Sequence, residues 1–404
     1  MKPTISIISE CFSDNLGDQA IARSLSNMLC PYYSISKASF SSLSVVQSNL
    51  VLASNQYWKS FLRMIFRTVT SKTKARIRWH VLGEKVTFRM HFRRVIMKSD
   101  LVIVGGGQII KNNIALFCEK LSLISRIAHE NSVPFVLIGI GVDKNMNLRN
   151  WRIVRNAIFT AKSILLRDNI SKRRMCDAFK PKVECAVMPD LAFALTNVEL
   201  ESKATEPVIY LGINVMDINS MLSYRNSIGR RDADTFVATL CDIVKIAHDD
   251  GYNICLFTSG SDSDFRATLA VKGDIFAITG IDLPIFHPSS LDDLLSFLVT
   301  VNHVIATRMH AGILAYISGC NPLCVNWDDK VEGVWSAINQ PERVILLEDI
   351  LRPSAGAEIL MRVQNMTPAT RHSLDELAKE VRLGVLENIN KALMHTQVAG
   401  TLKA

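Results

Sequence analysis

The sequence predicts an α/β protein built as two Rossmann-like domains facing each other across a cleft. Three observations carry this. The chain has 404 residues, too many for one compact α/β layer and suited to two. Short, wholly apolar runs alternate with segments of helical periodicity, the pattern of parallel strands covered on both faces. The alternation then restarts after a charged stretch at residues 199–207.

In the first half, strands are predicted at residues 4–9, 101–104, 135–140, 163–166 and 184–187. Residues 113–130 place Leu116, Leu121, Ile124 and Ile127 at helical spacing. Residues 199–207, rich in Glu and ending at Pro207, read as the linker. Beyond it, strands are predicted at 208–214, 253–258, 275–278, 303–306 and 322–325, with helices at 232–248 and 290–299. The first of these helices opens on acids and closes on Lys245 and His248 ahead of Gly251, the polarity that a helix dipole favours. The domains so drawn are residues 1–198, with a basic insertion near 51–98, and residues 207–350. A last helix within 370–395 lies beyond the second sheet and is free to pack back on the first domain.

Composition narrows the function. Apolar residues make up 48% of the chain, which excludes disorder. No apolar run is long enough to span a bilayer, and the N-terminal apolar run is too short for a signal peptide, so a cytoplasmic protein is expected. The nine cysteines are odd in number, irregularly spaced and without C-x-x-C; neither a disulfide framework nor a metal site is expected. The formal charge is +8, yet residues 59–98 hold twelve Lys or Arg against one acid, leaving the rest of the chain at −3. A basic excess confined to one stretch argues against nucleic acid as the partner.

In doubly wound sheets ligands bind beyond the carboxyl ends of strands, so polar residues there are the candidates. After the first strand, Asp14 and Asn15 can cap a helix that starts at Gly17-Asp18, a helix N-terminus suited to an anion; a simple capped turn accounts for the same residues. Gly105-Gly106-Gly107-Gln108 would let backbone approach a ligand, or permit a tight turn under a packed helix. It lacks both the dinucleotide spacing and the P-loop lysine. Arg167-Asp168 and Asp190 also follow strands. The sharpest segment is Thr307-Arg308-Met309-His310-Ala311-Gly312, which runs from a buried strand straight into an apolar helix. Arg suits bidentate binding of carboxylate or phosphate, and His moves protons near neutral pH.

The ordered set Gly17-Asp18-x-Ala20, Gly105-Gly106-Gly107, Gly139-Ile140-Gly141, Arg167-Asp168-x-x-Ser171, Pro189-Asp190-x-Ala192-Phe193, Arg308-x-His310-Ala311 and Asp329-Lys330 resembles the polysaccharide pyruvyltransferase family. The resemblance covers roughly residues 4–345. It implies a glycosyltransferase-B-like fold, phosphoenolpyruvate as co-substrate, and sugar hydroxyls of a glycan, free or lipid-linked, as acceptor; the residues show no metal cluster, and no separate cofactor or metal is expected. It implies a pyruvate ketal made during exopolysaccharide or cell-envelope polysaccharide biosynthesis. On this reading Arg308 holds the donor's phosphate or carboxylate and His310 is the acid. Arg167 is a second anion clamp, and Asp18 and Asp190 orient or deprotonate the acceptor. Gly17, Gly105, Gly106, Gly107, Gln108 and Lys330 line the substrate. Arg-x-His-Ala also occurs in two-domain glycosyltransferases, so a nucleotide-sugar donor is the alternative; a non-catalytic sugar-binding protein is the second.

The family motifs leave residues 51–98 unexplained. Trp58, Phe61, Leu62 and Ile65 share a helical face beside Lys59, Arg63 and Arg67, and Arg76, Arg78 and Trp79 follow. This composition suits a helix lying on an anionic membrane at the inner face of the cytoplasmic membrane. An acceptor-glycan platform and a solvated face packed on the first domain are the other two readings.

Overall fold

The computed structural model describes residues 2–41, 70–81, 83–112, 116–180, 182–195, 209–223 and 230–401. The chain forms two compact units: residues 1–13, 21–188 and 382–404, and residues 14–20 and 189–381. The expected linker at 199–207 and the aromatic-basic run at 57–67 lie outside the described residues.

Unit 1 holds β1 (Thr4–Ser9), most of α1 (Leu16–Leu29), β2 (Ser34–Ser39), α2 (Ser71–His80), α3 (Glu84–Ile96), β3 (Leu101–Gly105), α4 (Phe117–Glu130), β4 (Phe135–Ile140), α5 (Leu148–Thr160), β5 (Ile164–Leu166), α6 (Asn169–Phe179) and β6 (Ala186–Val187). The strands pair in parallel in the order β2-β1-β3-β4-β5-β6. The central strands β3 and β4 are buried at every position, because helices cover both faces. Strand β2, sequence SISKAS, is not apolar; it sits at the sheet edge, where only its last two residues are buried.

Unit 2 holds β7 (Tyr210–Asn214), α7 (Ile218–Ser223), α8 (Arg230–Asp249), β8 (Asn253–Phe257), α9 (Asp262–Thr279), β9 (Ile285–Phe286), α10 (Leu291–Thr300), β10 (His303–Ala306), α11 (Met309–Ile317), β11 (Asn321–Asn326), α12 (Asp329–Ala337), β12 (Val344–Leu346), α13 (Leu347–Ile350), α14 (Gly356–Gln364) and the first turns of α15 (Arg371–Thr401). Its parallel sheet runs β12-β11-β10-β7-β8-β9. This is the Rossmann strand order, with the chain reversing direction between β7 and β10.

One predicted strand is not a strand. Residues 275–278 form the last turns of α9. Val271 and Ile275, four apart, are buried, while Phe276 and Ile278 are exposed. A short apolar run is ambiguous between the two periods, and here the helical one prevails. From Arg382 onward α15 clusters with unit 1. There Tyr33 Oη donates to Asn390 Oδ1 at 2.9 Å and Ser163 Oγ to Asn388 Oδ1 at 2.5 Å.

The predicted helical pair at the end of the basic insertion is α2 and α3. Their aromatic residues are core: Trp79, Phe88 and Phe92 are buried with Ile96 in the unit 1 cluster. Trp79 meets Phe88 edge-on at 5.3 Å between ring centroids. The reading of this part as a face packed on the first domain therefore describes one side of the pair, and Trp79 is not available to a membrane. No described helix is long and apolar enough to cross a bilayer.

Candidate active site

The reversal point of the second sheet gathers the polar groups. Strand β7 ends at Asn214 and pairs there with Ala306 of β10. Asn214 is fully buried, which obliges its amide to find partners. Its Oδ1 accepts from the Arg308 backbone N–H at 3.0 Å and its Nδ2 donates to the Phe257 carbonyl at 3.1 Å. Thr307 Oγ1 donates to the Asn214 carbonyl at 2.8 Å and accepts from the Met216 N–H at 2.8 Å. Together these bonds fix the chain where it leaves β10, and with it the direction of Arg308.

The Arg308 side chain forms a bidentate pair with Asp264 in the first turn of α9, Nε to Oδ2 at 2.8 Å and Nη2 to Oδ1 at 2.7 Å. Asp264 is almost wholly buried, and its Oδ1 also accepts from the Asp217 N–H at 3.2 Å. The carboxylate thus holds one edge of the guanidinium. The Nη1–Nη2 edge remains, and the side chain is 28% exposed, so the group can still bind an anion through that fork.

His310 stands in the first turn of α11. Its Nε2 is buried, makes no hydrogen bond and lies 3.8 Å from Asp190 Oδ2. Asp190 has no solvent exposure, and its Oδ1 accepts from the Ala192 N–H at 3.0 Å as the cap of a 3-10 turn, Leu191–Ala194. The Gly17 backbone runs along the other side of the imidazole. A methyl group on Gly17 would lie 2.4 Å from His310 Cβ and 2.5 Å from Nδ1. That backbone is held in turn by the Leu16 N–H donating to the Ser259 carbonyl at 3.0 Å. Asp18 is the acid of the first turn of α1, adjacent to this contact.

Behind Thr307, Trp327 Nε1 donates to its carbonyl at 2.6 Å, and Lys330 Nζ sits 4.3 Å from the Trp327 ring and 3.5 Å from Asp328 Oδ2. The unit therefore presents a guanidinium, an imidazole with a buried carboxylate behind it, and the N-terminus of α11, whose first amides lack helical partners. Such a set can bind an anion and transfer a proton beside it. A cavity of about 520 Å³ elsewhere in unit 2, lined by Tyr316, Gln340, Arg343 and Arg362 among others, includes neither Arg308 nor His310. Its two guanidinium groups donate to the backbone carbonyls of Thr367, Glu342 and Val344. Among the described residues no three His, Cys, Asp or Glu side chains stand together as a metal ligand set.

Of the expected site residues, Gly17, Asp18, Asp190, Arg308, His310 and Lys330 belong to unit 2; Gly105, Gly106, Gly107, Gln108 and Arg167 belong to unit 1. Within unit 1, Gly105 and Gly106 are closely packed. A methyl on Gly106 would lie 1.9 Å from Ile21 Cγ2, so α1 can rest on the turn only because Gly106 has no side chain. Gln108 follows, part-buried. Arg167 is 2% exposed, with Nε 3.5 Å from Asp168 Oδ2 and the guanidinium pressed against Gly141. Asp168 caps α6 through Ser171, whose hydroxyl accepts from the Val142 N–H. The Arg167-Asp168-x-x-Ser171 segment is thus a buried polar lattice of unit 1.

Sequence reasoning missed Asp264, Asn214 and Thr307. Asp264 had a legible signal, the second acid of Ser261-Asp262-Ser263-Asp264 just after a strand. The mistaken strand at 275–278 hid the helix that this segment starts. Asn214 and Thr307 are ordinary polar residues, and only the pairing of β7 with β10 brings them together.

The family model for polysaccharide pyruvyl transferase matches residues 15–329. No curated protein matches. Among solved structures, the UDP-GlcNAc 2-epimerase of Neisseria meningitidis bound to UDP-GlcNAc superposes with a TM-score of 0.55 at 10% identity, covering 97% of this chain and 100% of that one. The UDP-N-acetylglucosamine 2-epimerase of Rickettsia bellii gives 0.54 at 10% identity, covering 98% of each. The trehalose 6-phosphate synthase of Burkholderia multivorans gives 0.54 at 10% identity, covering 100% of this chain and 98% of that one. At these identities the likeness is one of fold, the glycosyltransferase-B type with two Rossmann-like domains.

Proposed function

This chain belongs to the polysaccharide pyruvyl transferase family, a family of transferases, and from that premise we propose that it moves a pyruvyl group from phosphoenolpyruvate to two hydroxyls of a glycan during cell-envelope polysaccharide synthesis. The observation that carries the reading is Arg308 beside His310 at the reversal point of the second sheet, each backed by its own buried carboxylate.

The chemistry needs an anion held and a proton delivered. The free edge of Arg308 and the first amides of α11 bind the donor's phosphate or carboxylate. His310, as imidazolium, gives its proton to C3 of the enol or to the departing phosphate. Protonation at C3 makes C2 electrophilic. One sugar hydroxyl adds to C2, the C2–O bond to phosphate breaks, and the second hydroxyl adds in its place. The products are the ketal and inorganic phosphate, and the two hydroxyl protons balance the one taken up at C3 and the one carried off by phosphate. Cations fixed beside the leaving group stabilise the charge that develops there.

Asp190, buried behind the imidazole, suits the orientation of His310 and the stabilisation of its charged form better than contact with the acceptor. Asp18 remains the candidate for orienting an acceptor hydroxyl. The test is phosphate release from phosphoenolpyruvate with and without a panel of p-nitrophenyl hexopyranosides. Release that requires an acceptor is expected. Glycosyl transfer from a nucleotide sugar with phosphoenolpyruvate ignored would overturn the reading.

A further inference from the structure

Helix α3 has two faces that both contain apolar side chains, and only one of them is buried. Phe88, Phe92 and Ile96 fill the unit 1 core. On the opposite side Val86, Met90 and Met97 are exposed, at 60%, 53% and 60%. With the exposed Arg93 they follow positions i, i+4, i+7 and i+11, a single stripe along the helix. Exposed cations flank it: Arg89 and Lys85 on one side, Arg94 and Lys98 on the other. Arg89 pairs with Glu130 at 2.9 Å. Lys85, Arg93, Arg94 and Lys98 make no ion pair with any described residue. Just before the helix, Val81 is 73% exposed beside Arg78.

An exposed apolar stripe between rows of cations has a specific physical meaning. A solvated helix needs no outward Val and two Met, and a phosphodiester or polyanionic glycan would be met by cations alone. Apolar side chains seated between cations match the interface of an anionic bilayer, where the side chains enter the acyl boundary and the cations meet headgroup phosphates. We propose that the outward face of α3 docks unit 1 on an anionic lipid surface, with Val86, Met90 and Met97 entering the interface and Arg93, Arg94 and Lys98 meeting phosphates. The sequence pointed to residues 57–98 for such docking; within that stretch the described helices put Trp79 inside and leave the outward face of α3 exposed. This inference does not depend on the identity of the donor.

The test is sedimentation of the full chain with vesicles of phosphatidylcholine alone and of equal parts phosphatidylcholine and phosphatidylglycerol, at low and high salt. Binding to the anionic vesicles that weakens with salt is expected. Two double variants separate the contributions, Met90→Asp with Met97→Asp, and Arg93→Glu with Arg94→Glu. Each should lower the partition coefficient by about tenfold or more, with the melting temperature near wild type because every substituted side chain is exposed. Absence of binding, or equal binding to neutral vesicles, would overturn the proposal. So would anionic binding that survives Met90→Asp with Met97→Asp, since it would reduce the face to a general polyanion surface such as one for RNA.

Discussion

Gly17 is a glycine because His310 fills the space that a side chain would need. The added methyl of Gly17→Ala would meet the His310 Cβ, Cγ and Nδ1, all within 2.6 Å, and the imidazole would have to turn away. His310→Ala should cost about 10²–10⁴ in kcat, the usual contribution of a general acid. Gly17→Ala should cost about 10² or more while leaving the imidazole present, because misplacement alone is that expensive. Circular dichroism and steady-state rates on both variants check this; near-normal turnover of folded Gly17→Ala would mean that the imidazole pose is immaterial. Arg308→Lys should lose about 10²–10³, since an ammonium cannot hold Asp264 bidentately and present a second fork to the substrate. Arg308 and His310 were legible in the sequence because charged groups at the start of an apolar helix have no packing use. Their carboxylates were less so: Asp190 was read as a group for the acceptor and not as the neighbour of His310, and Asp264 was hidden by a misread period.

Helix α11 carries His310 and starts directly after Arg308, and its seat is tight. A methyl on Gly312 would lie 2.1 Å from Cys324 Sγ on β11, so the helix reaches the strand only through a bare Cα. Gly312→Ala should cost about 1–3 kcal/mol by overpacking. The double variant Gly312→Ala with Cys324→Ala should recover part of that loss, because removing the sulfur reopens the space. Denaturant melts of the four combinations measure the coupling, and strict additivity would contradict the contact. Central elements of this kind were readable from sequence: the strands at 4–9, 135–140 and 303–306 end where predicted, since strands buried on both faces are rich in apolar residues. What failed sits at the margins. Strand β2 is a polar edge strand, and β9 and β12 are two and three residues long, too short to show a period.

At the scale of the whole molecule, each of the two units buries a thiol whose titration reports on folding. Burial pushes Cys118 in unit 1 and Cys324 in unit 2 up to about 12. An unfolded thiol releases its proton near pH 9, so above that the folded chain binds more protons than the unfolded one. The contribution of these thiols to stability should therefore be constant below pH 9 and be lost as pH rises from 9 toward 12. Urea midpoints across this range should show a shallower fall in Cys118→Ala; an identical slope would contradict a buried neutral thiol. At the same scale stands the claim that gives the fold its use, that a family member with this pair of Rossmann-like units takes its pyruvyl group from phosphoenolpyruvate. The most direct measurement supplies phosphoenolpyruvate carrying ¹⁸O in the bridge between C2 and phosphorus, together with an accepted glycoside, and follows both products by mass spectrometry. The expected result is label in the released phosphate and a glycoside heavier by pyruvate less water, with both signals lost in His310→Ala. Label retained on the three-carbon unit, or a glycoside that gains a sugar from a nucleotide donor instead, would contradict it.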